Sequence, residues 1–92
     1  MMITVELLGV LRGRLGRDSI VKDVSGGMKL KELLKNLREE VPELKEAIEE
    51  DGSVTSSYVV FINGVDYYLL NGENYVLKDG DKVTLVPISH GG

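Results

Sequence analysis

The residues best suited to chemistry in this sequence are the two glycines that close it, Gly91 and Gly92. Glycine has no Cβ atom, so both residues can adopt almost any backbone geometry and let the walls of a narrow channel close on the peptide. The reactive group that such an arm would deliver is the α-carboxylate of Gly92. A carboxylate is a poor electrophile until another enzyme activates it. The pattern predicts a terminus that a partner activates, with an inert tail as the alternative.

The composition excludes most other kinds of site. The chain has no cysteine, which removes disulfides, thiolate nucleophiles, iron–sulfur ligation and cysteine-rich zinc sites. Its single histidine is His90, which we interpret as a solvated residue or a partner contact rather than a proton-transfer group. The sequence shows no metal cluster, nucleophile dyad or phosphate-cradling loop. We therefore expect no metal, no bound cofactor and no independent enzyme activity.

Length and charge limit the class of protein. Ninety-two residues suffice for one domain with a single small core. The formal net charge of −4 argues against a nucleic-acid partner, because binding phosphates requires a basic face. No apolar run is long enough to cross a bilayer, and the first residues lack a leader pattern. We expect a cytoplasmic protein without membrane or nucleic-acid partners.

Apolar periodicity predicts the first elements. Alternation over residues 3–7 indicates a strand, which we extend through Leu11. The segment 12–18 is expected to be a hairpin-type connection to a returning strand at 19–24. Its three arginines are interpreted as solvated loop charge, with contact to an acidic partner surface as the less favoured alternative. They are Arg12, Arg14 and Arg17.

One apolar stripe at helical spacing follows, formed by Leu30, Leu33, Leu34, Leu37 and Val41. Pro42 should end this helix near Val41, and 43–50 is expected to be a second, shorter helix. A polar loop, expected to be mobile, covers 51–57. The run 58–62 is apolar on both strand faces, so we expect it to be central in a sheet, partly exposed to a partner, or both.

The remaining pattern closes a small α+β fold. Asn63-Gly64 is the strongest turn signal, and the last strand precedes Pro87. The order predicts a β-grasp, ubiquitin-like fold: a mixed sheet with one main crossing helix and a short second helix, its first and last strands parallel at the centre. We expect a domain at 1–86 and a flexible tail at 87–92, with Pro87 stopping strand pairing because it lacks an N–H.

Several segments together carry a family resemblance. They are 5–12, 31–37, 61–64 and 77–83, followed by Pro87 and the terminal Gly91 and Gly92. With these the chain resembles the MoaD family, the small sulfur-carrier subunits of molybdopterin synthase, and more broadly the archaeal ubiquitin-like sulfur carriers and modifiers. The tail departs from the family where Ile88, Ser89 and His90 replace smaller residues. Which partner channel this tail fits is therefore left undecided by the sequence.

The resemblance implies a noncatalytic co-substrate. An E1-like, MoeB-like adenylating enzyme would use ATP to convert the Gly92 carboxylate to an adenylate and then to a thiocarboxylate. A MoaE-like large subunit of molybdopterin synthase would receive the sulfur for the molybdenum cofactor. The tail residues Pro87, His90 and Gly91 would enter the partner, and we expect Phe61 and Val86 to contribute to docking.

Three alternatives remain open from the sequence. The activated Gly92 could form an isopeptide bond to a lysine, as in a ubiquitin-like modifier. The sulfur could instead be passed to a tRNA base. An inert ubiquitin-like binding module would keep its function without Gly91 and Gly92. The sulfur acceptor, the oligomeric state and the sheet face used for each partner stay undetermined.

Overall fold

The computed structural model describes residues 1–88 of the chain. Its helices and strands follow the order β1 (Met2–Leu7), α1 (Gly9–Leu15), β2 (Ser19–Asp23), α2 (Leu30–Glu40), β3 (Tyr58–Ile62), β4 (Val65–Asp66) and β5 (Lys82–Pro87). Short 3₁₀ turns lie at Pro42–Glu46, Tyr67–Leu70 and Gly72–Asn74.

The five strands form one mixed sheet in the order β2-β1-β5-β3-β4. β1 and β5 are parallel at its centre, with Val5 opposite Val83 and Leu7 opposite Leu85. The other neighbouring pairs are antiparallel. The predicted β-grasp plan, with the first and last strands paired in parallel, is confirmed.

The core lies between the sheet and α2. The leucine stripe of α2 is fully buried apart from the flanking Val41, and the inward-facing residues of β1 and β5 are buried with it. Burying one such side chain contributes about 1.5–3 kcal/mol before the conformational entropy cost is subtracted. Leu44, Ala47 and Ile48 close one end of this core.

The predicted extension of the first strand through Leu11 is wrong, because that segment belongs to α1. Gly9 has φ +60°, which turns the chain out of β1. Leu11 is fully buried in α1 whereas Val10 is 45% exposed, and α1 also replaces the first part of the hairpin-type connection expected at 12–18. Gly16 ends α1 in the left-handed region, and its N–H donates to the Arg12 carbonyl at 3.0 Å.

The three arginines around α1 all contact groups of the same chain. Arg12 Nε lies 2.7 Å from Asp18 Oδ1, and Arg14 Nη1 lies 2.9 Å from Glu46 Oε2. Arg17 Nε donates to the Ser19 carbonyl at 3.0 Å. These local contacts favour solvated charge over contact with an acidic partner, although Arg12 and Arg14 lie in α1 and not in the expected loop.

The second helix expected at 43–50 is only the 3₁₀ turn Pro42–Glu46. Beyond it Ile48 forms an isolated β-bridge with Val54, so the chain leaves helical geometry before residue 50. The loop expected to be mobile is tied back by Thr55, whose N–H donates to the Ala47 carbonyl at 3.0 Å. The Thr55 hydroxyl also donates to the Glu46 carbonyl at 2.8 Å.

Candidate functional site

The structure places three of the six predicted site residues. Phe61 lies in β3, and Val86 and Pro87 lie in β5. Gly91, Gly92 and His90 lie outside the described residues, so their predicted roles stay predictions. The candidate site is therefore built from the sheet face that bears Phe61 and Val86 and from the base of the tail.

Phe61 and Val86 share the sheet face that α2 leaves uncovered. Val59 lies opposite Val86, and Phe61 lies opposite Thr84, two positions along the strand. Because side chains alternate between sheet faces, all four side chains lie on one face. The inward positions of β3 are buried, whereas Val59 and Phe61 are half-buried. The run 58–62 therefore has one face in the core and one facing outward. This agrees with the expectation of a strand that lies inside the sheet and is partly exposed.

A shallow depression of about 550 Å³ marks this open face. Phe61, Val86 and Leu8 provide its apolar surface. Glu6 and Lys82 also line it, and their side chains form a partly exposed ion pair with Lys82 Nζ 3.7 Å from Glu6 Oε2. An apolar surface flanked by charge is suited to protein docking.

Sequence reasoning missed the contributions of Leu8 and Glu6. Leu8 was assigned to a continuing strand, but it precedes α1 and lies beside the end of β5. Glu6 is the outward residue of β1 opposite Thr84. The alternation of the first strand already placed Glu6 on the outer face, which is the signal that could have found it.

The base of the tail is paired to β3, which the sequence did not predict. Pro87 lies opposite Tyr58 inside the antiparallel pair of β5 and β3. The Ile88 N–H then donates to the Ser57 carbonyl at 2.8 Å. The expectation that Pro87 stops strand pairing is wrong for β3, while the boundary between domain and tail at 86/87 stays a prediction.

Behind the base of the tail lies a group of polar residues from three elements. Tyr58 is buried, and burial together with the neighbouring Glu46 carboxylate raises the pKa of Tyr58 to about 12. Glu46 is paired with Arg14, and within the described residues its Oε1 atom is buried without a hydrogen-bond partner. The raised pKa keeps Tyr58 neutral at physiological pH.

The start of β5 is fixed by Asp81, which accepts three hydrogen bonds. The donors are Asn63 Nδ2 at 2.8 Å, the Tyr75 hydroxyl at 2.7 Å and the Lys78 N–H at 2.8 Å. Burial alone would raise the pKa of Asp81, but these hydrogen bonds outweigh it and hold the pKa below its usual value. Asp81 therefore remains a buried carboxylate that fixes the position of β5.

Within residues 1–88, no group of three or more potential acidic or histidine ligands could hold a metal ion. In the same range, no helix has the length and apolar character needed to span a membrane. What the described structure offers is an open, partly apolar sheet face and a strand end that is paired to β3 as far as Ile88.

Sequence comparison assigns the family. Residues 5–92 match the profile of the ThiS family. The chain belongs to this family. The expected resemblance to ubiquitin-like small sulfur carriers is therefore confirmed at the level of the family.

Relatives of this ThiS-family chain include two fungal proteins. Ubiquitin-related modifier 1 of Schizosaccharomyces pombe is 34% identical over 97 residues, and the alignment covers the whole of both chains. Ubiquitin-related modifier 1 of Laccaria bicolor is 39% identical over 61 residues, which is 65% of this chain and 50% of that protein. The match to the Laccaria protein thus spans only half of its length.

Solved structures agree on the fold. SAMP1 from Haloferax volcanii superposes with a TM-score of 0.83 over 100% of both chains, at 22% identity. Urm1 from Trypanosoma brucei gives a TM-score of 0.80 at 26% identity, covering 99% of this chain and 95% of that one. The putative molybdopterin converting factor subunit 1 from Pyrococcus furiosus gives 0.76 at 20% identity, covering 97% and 99%. The first and last of these show the fold alone.

Proposed function

We propose that this protein is a ubiquitin-like sulfur carrier and modifier whose Gly92 carboxylate is activated by an ATP-using, E1-like enzyme. The observation that carries the proposal is the full-length, 34% identical match to the S. pombe ubiquitin-related modifier 1. The family match extends to Gly92, which supports a role for the terminal glycines. The match to a ubiquitin-related modifier favours transfer to a tRNA base or to a protein lysine over a role in molybdopterin synthesis.

The expected molybdopterin role has weaker support. The one solved structure cited above that bears that name is 20% identical, a level at which only the fold is shared. A MoaE-like large subunit as partner and a MoeB-like activating enzyme therefore stay predictions from the resemblance. The coarser proposal, an E1-like activating enzyme followed by a separate acceptor, does not depend on either.

The proposed chemistry occurs on the α-carboxylate of Gly92. One carboxylate oxygen attacks the α-phosphorus of ATP, and pyrophosphate leaves, which gives an acyl adenylate. A sulfide sulfur from a donor then attacks the carbonyl carbon, and AMP leaves, which gives a thiocarboxylate. Attack by a lysine amine on the adenylate carbonyl, with loss of AMP and of one amine proton, would instead give an isopeptide bond. The protein is a co-substrate in each case, with no cofactor bound, and the supply of ATP fits the cytoplasmic location that we propose.

The open sheet face is proposed as the docking surface for the activating enzyme. Val86 lies in the depression and one residue before Pro87, so contact at this face would fix the base of the tail on the enzyme. The six residues from Pro87 to Gly92 reach at most roughly 20 Å, enough to enter a neighbouring pocket. The net charge of −4 favours an enzyme with a basic surface around the contact.

Separate acceptor assays test the proposal. The thiocarboxylate form would be offered to a tRNA with a tRNA-thiolating enzyme, and to a pterin precursor with a molybdopterin synthase large subunit. We expect sulfur in the tRNA and none in the pterin, with a Gly92 deletion inactive in both. Sulfur found only in the pterin would contradict the proposed acceptor and restore the molybdopterin role. Incubation with the activating enzyme, ATP and lysine-bearing proteins tests conjugation in the same way.

A further inference from the structure

The end of β5 is held by a strand on one side only. β1 pairs with β5 no farther than Leu85, whereas β3 continues to Tyr58 opposite Pro87. The Ile88 N–H then donates to the Ser57 carbonyl. Since hydrogen-bonding direction alternates along a strand, the amide position of Pro87 faces the side that β1 has left, so its missing N–H costs no bond to β3.

The side that β1 leaves is occupied by Gly9, the first residue of α1. A Cβ atom built on Gly9 would lie 2.6 Å from Cγ of Pro87, and contacts under 3.0 Å essentially never occur. The bare backbone of Gly9 is therefore the surface beside which the Pro87 ring fits. Any side chain at residue 9 must displace either the ring or the helix.

Of the two segments that meet here, α1 is held more firmly than the end of β5. Leu11 is fully buried in the core, and Arg14 is paired with Glu46 at 2.9 Å. A retreat of α1 would expose Leu11 and break this pair. Pro87 sits at a strand end with one ladder partner, so a side chain at residue 9 would displace Pro87 and strain the hydrogen bond made by Ile88.

We infer that Gly9 is a positioning residue for the reactive terminus. Its missing side chain fixes the Pro87 ring and thereby the direction of the backbone at Ile88, from which the chain continues to Gly92. The inference rests on the proposed function, because a correctly directed tail matters only if Gly92 enters an enzyme. The four residues beyond Ile88 span at most roughly 14 Å, so a redirected base shortens the reach of the carboxylate along the productive path.

Kinetics of adenylation test this inference, with pyrophosphate release as the readout. In Gly9→Ala we expect kcat to fall by about 10- to 100-fold, because the reacting group is misplaced. KM should stay within about twofold, because the docking face is unchanged. Equal kcat and KM for Gly9→Ala and wild type would overturn the inference.

Two further variants separate positioning from strain. Gly16 has a similar φ of +65° at the other end of α1, but a Cβ there meets nothing within 4 Å. Gly16→Ala therefore matches the backbone strain without the contact, and should keep the wild-type kcat. Adding Pro87→Ala to Gly9→Ala removes the clashing Cγ and should recover most of the activity of Pro87→Ala alone. A Gly16→Ala variant as impaired as Gly9→Ala would refute the positioning role.

Amide hydrogen exchange at Ile88 gives a readout that does not need the enzyme. We expect Ile88 to exchange at least about tenfold faster in Gly9→Ala than in Gly16→Ala, because a broken hydrogen bond leaves its amide unprotected. Equal exchange would overturn the inference even if the proposed function holds. If no activating enzyme adenylates the wild type, the proposed function fails. Amide exchange at Ile88 still tests whether Gly9 positions Pro87. Should Gly9→Ala not fold, Pro87→Ala removes the contact from the other side and must also speed exchange at Ile88.

Discussion

Asn63 donates a hydrogen bond from Nδ2 to Oδ1 of Asp81 at 2.8 Å, joining the turn after β3 to the residue before β5. Oδ1 of Asn63 in turn accepts from the Lys82 N–H at 2.9 Å. Asn63 has φ +52° and Gly64 has φ +82°, which suits the tight turn to β4. The link fixes the register of β5 against β3, and with it the open sheet face and the base of the tail.

Loss of the Asp81 carboxylate should destabilise the fold. In Asp81→Ala the three donors of Asn63, Tyr75 and Lys78 lose their acceptor in a partly buried place. We expect the free energy of unfolding to fall by about 2–3 kcal/mol, measured by urea denaturation. Glu39→Ala, at an exposed carboxylate, is the matched control and should change it by less than about 0.5 kcal/mol. Equal stability of the two variants would show that the Asp81 network is not structural.

Protonation of the same carboxylate should lower the stability of the fold at acid pH. Because hydrogen bonds hold the pKa of Asp81 below its unfolded value of 3.8, its contribution is complete above that value. The contribution is lost as pH falls through the lower, folded pKa. The stability difference between wild type and Asp81→Asn should therefore shrink below about pH 4. Urea midpoints across this range check it, and a constant difference down to pH 2 would contradict it.

Ionisation of Tyr58 should lower the stability of the fold at alkaline pH. Burial first, and the adjacent Glu46 carboxylate second, raise the pKa of Tyr58 from 10.0 to about 12. The stabilisation is complete below the unfolded value of 10.0 and is lost as pH rises through the folded value near 12. Wild type should lose stability over this window more steeply than Tyr58→Phe in urea unfolding. Tyr68→Phe, at a residue that is 81% exposed, controls for the loss of one hydroxyl.

The open face predicts a binding defect without a folding defect. Phe61→Asp puts a charge into the apolar depression at a half-buried position. We expect KM for the activating enzyme to rise by about tenfold or more, as at a binding hot spot. Thermal unfolding should change little. Leu69→Asp, at a 79% exposed leucine outside the depression, should leave KM unchanged. An unaltered KM in Phe61→Asp would show that the docking surface lies elsewhere.

The sequence predicted the elements whose signals are local. The leucine stripe of α2 and the Asn63-Gly64 turn each carry their information within a few residues. The strand order followed because a strand at each end of the chain and one crossing helix permit few arrangements. The outward face that bears Phe61 was indicated by the run 58–62, which is apolar on both strand faces.

The features that were missed depend on contacts distant in sequence. α1 has seven residues, too few to show a helical period beside the strand pattern of β1. The role of Asp81 is not visible in the local sequence, because its partners Asn63 and Tyr75 come from other segments. The continuation of β5 through Pro87 depends on its neighbours, since β3 needs no N–H from that residue.

The most direct test of the account is the intact mass of the protein after incubation with an E1-like activating enzyme, ATP and a sulfur donor. We predict a mass gain equal to replacing one oxygen by sulfur, absent when Gly92 is deleted and absent without ATP. A conjugate to a lysine-bearing protein, also lost on deletion of Gly92, would support the modifier activity. An unchanged mass and no conjugate, with an enzyme proven active on another carrier, would contradict the proposed role of the terminal glycines.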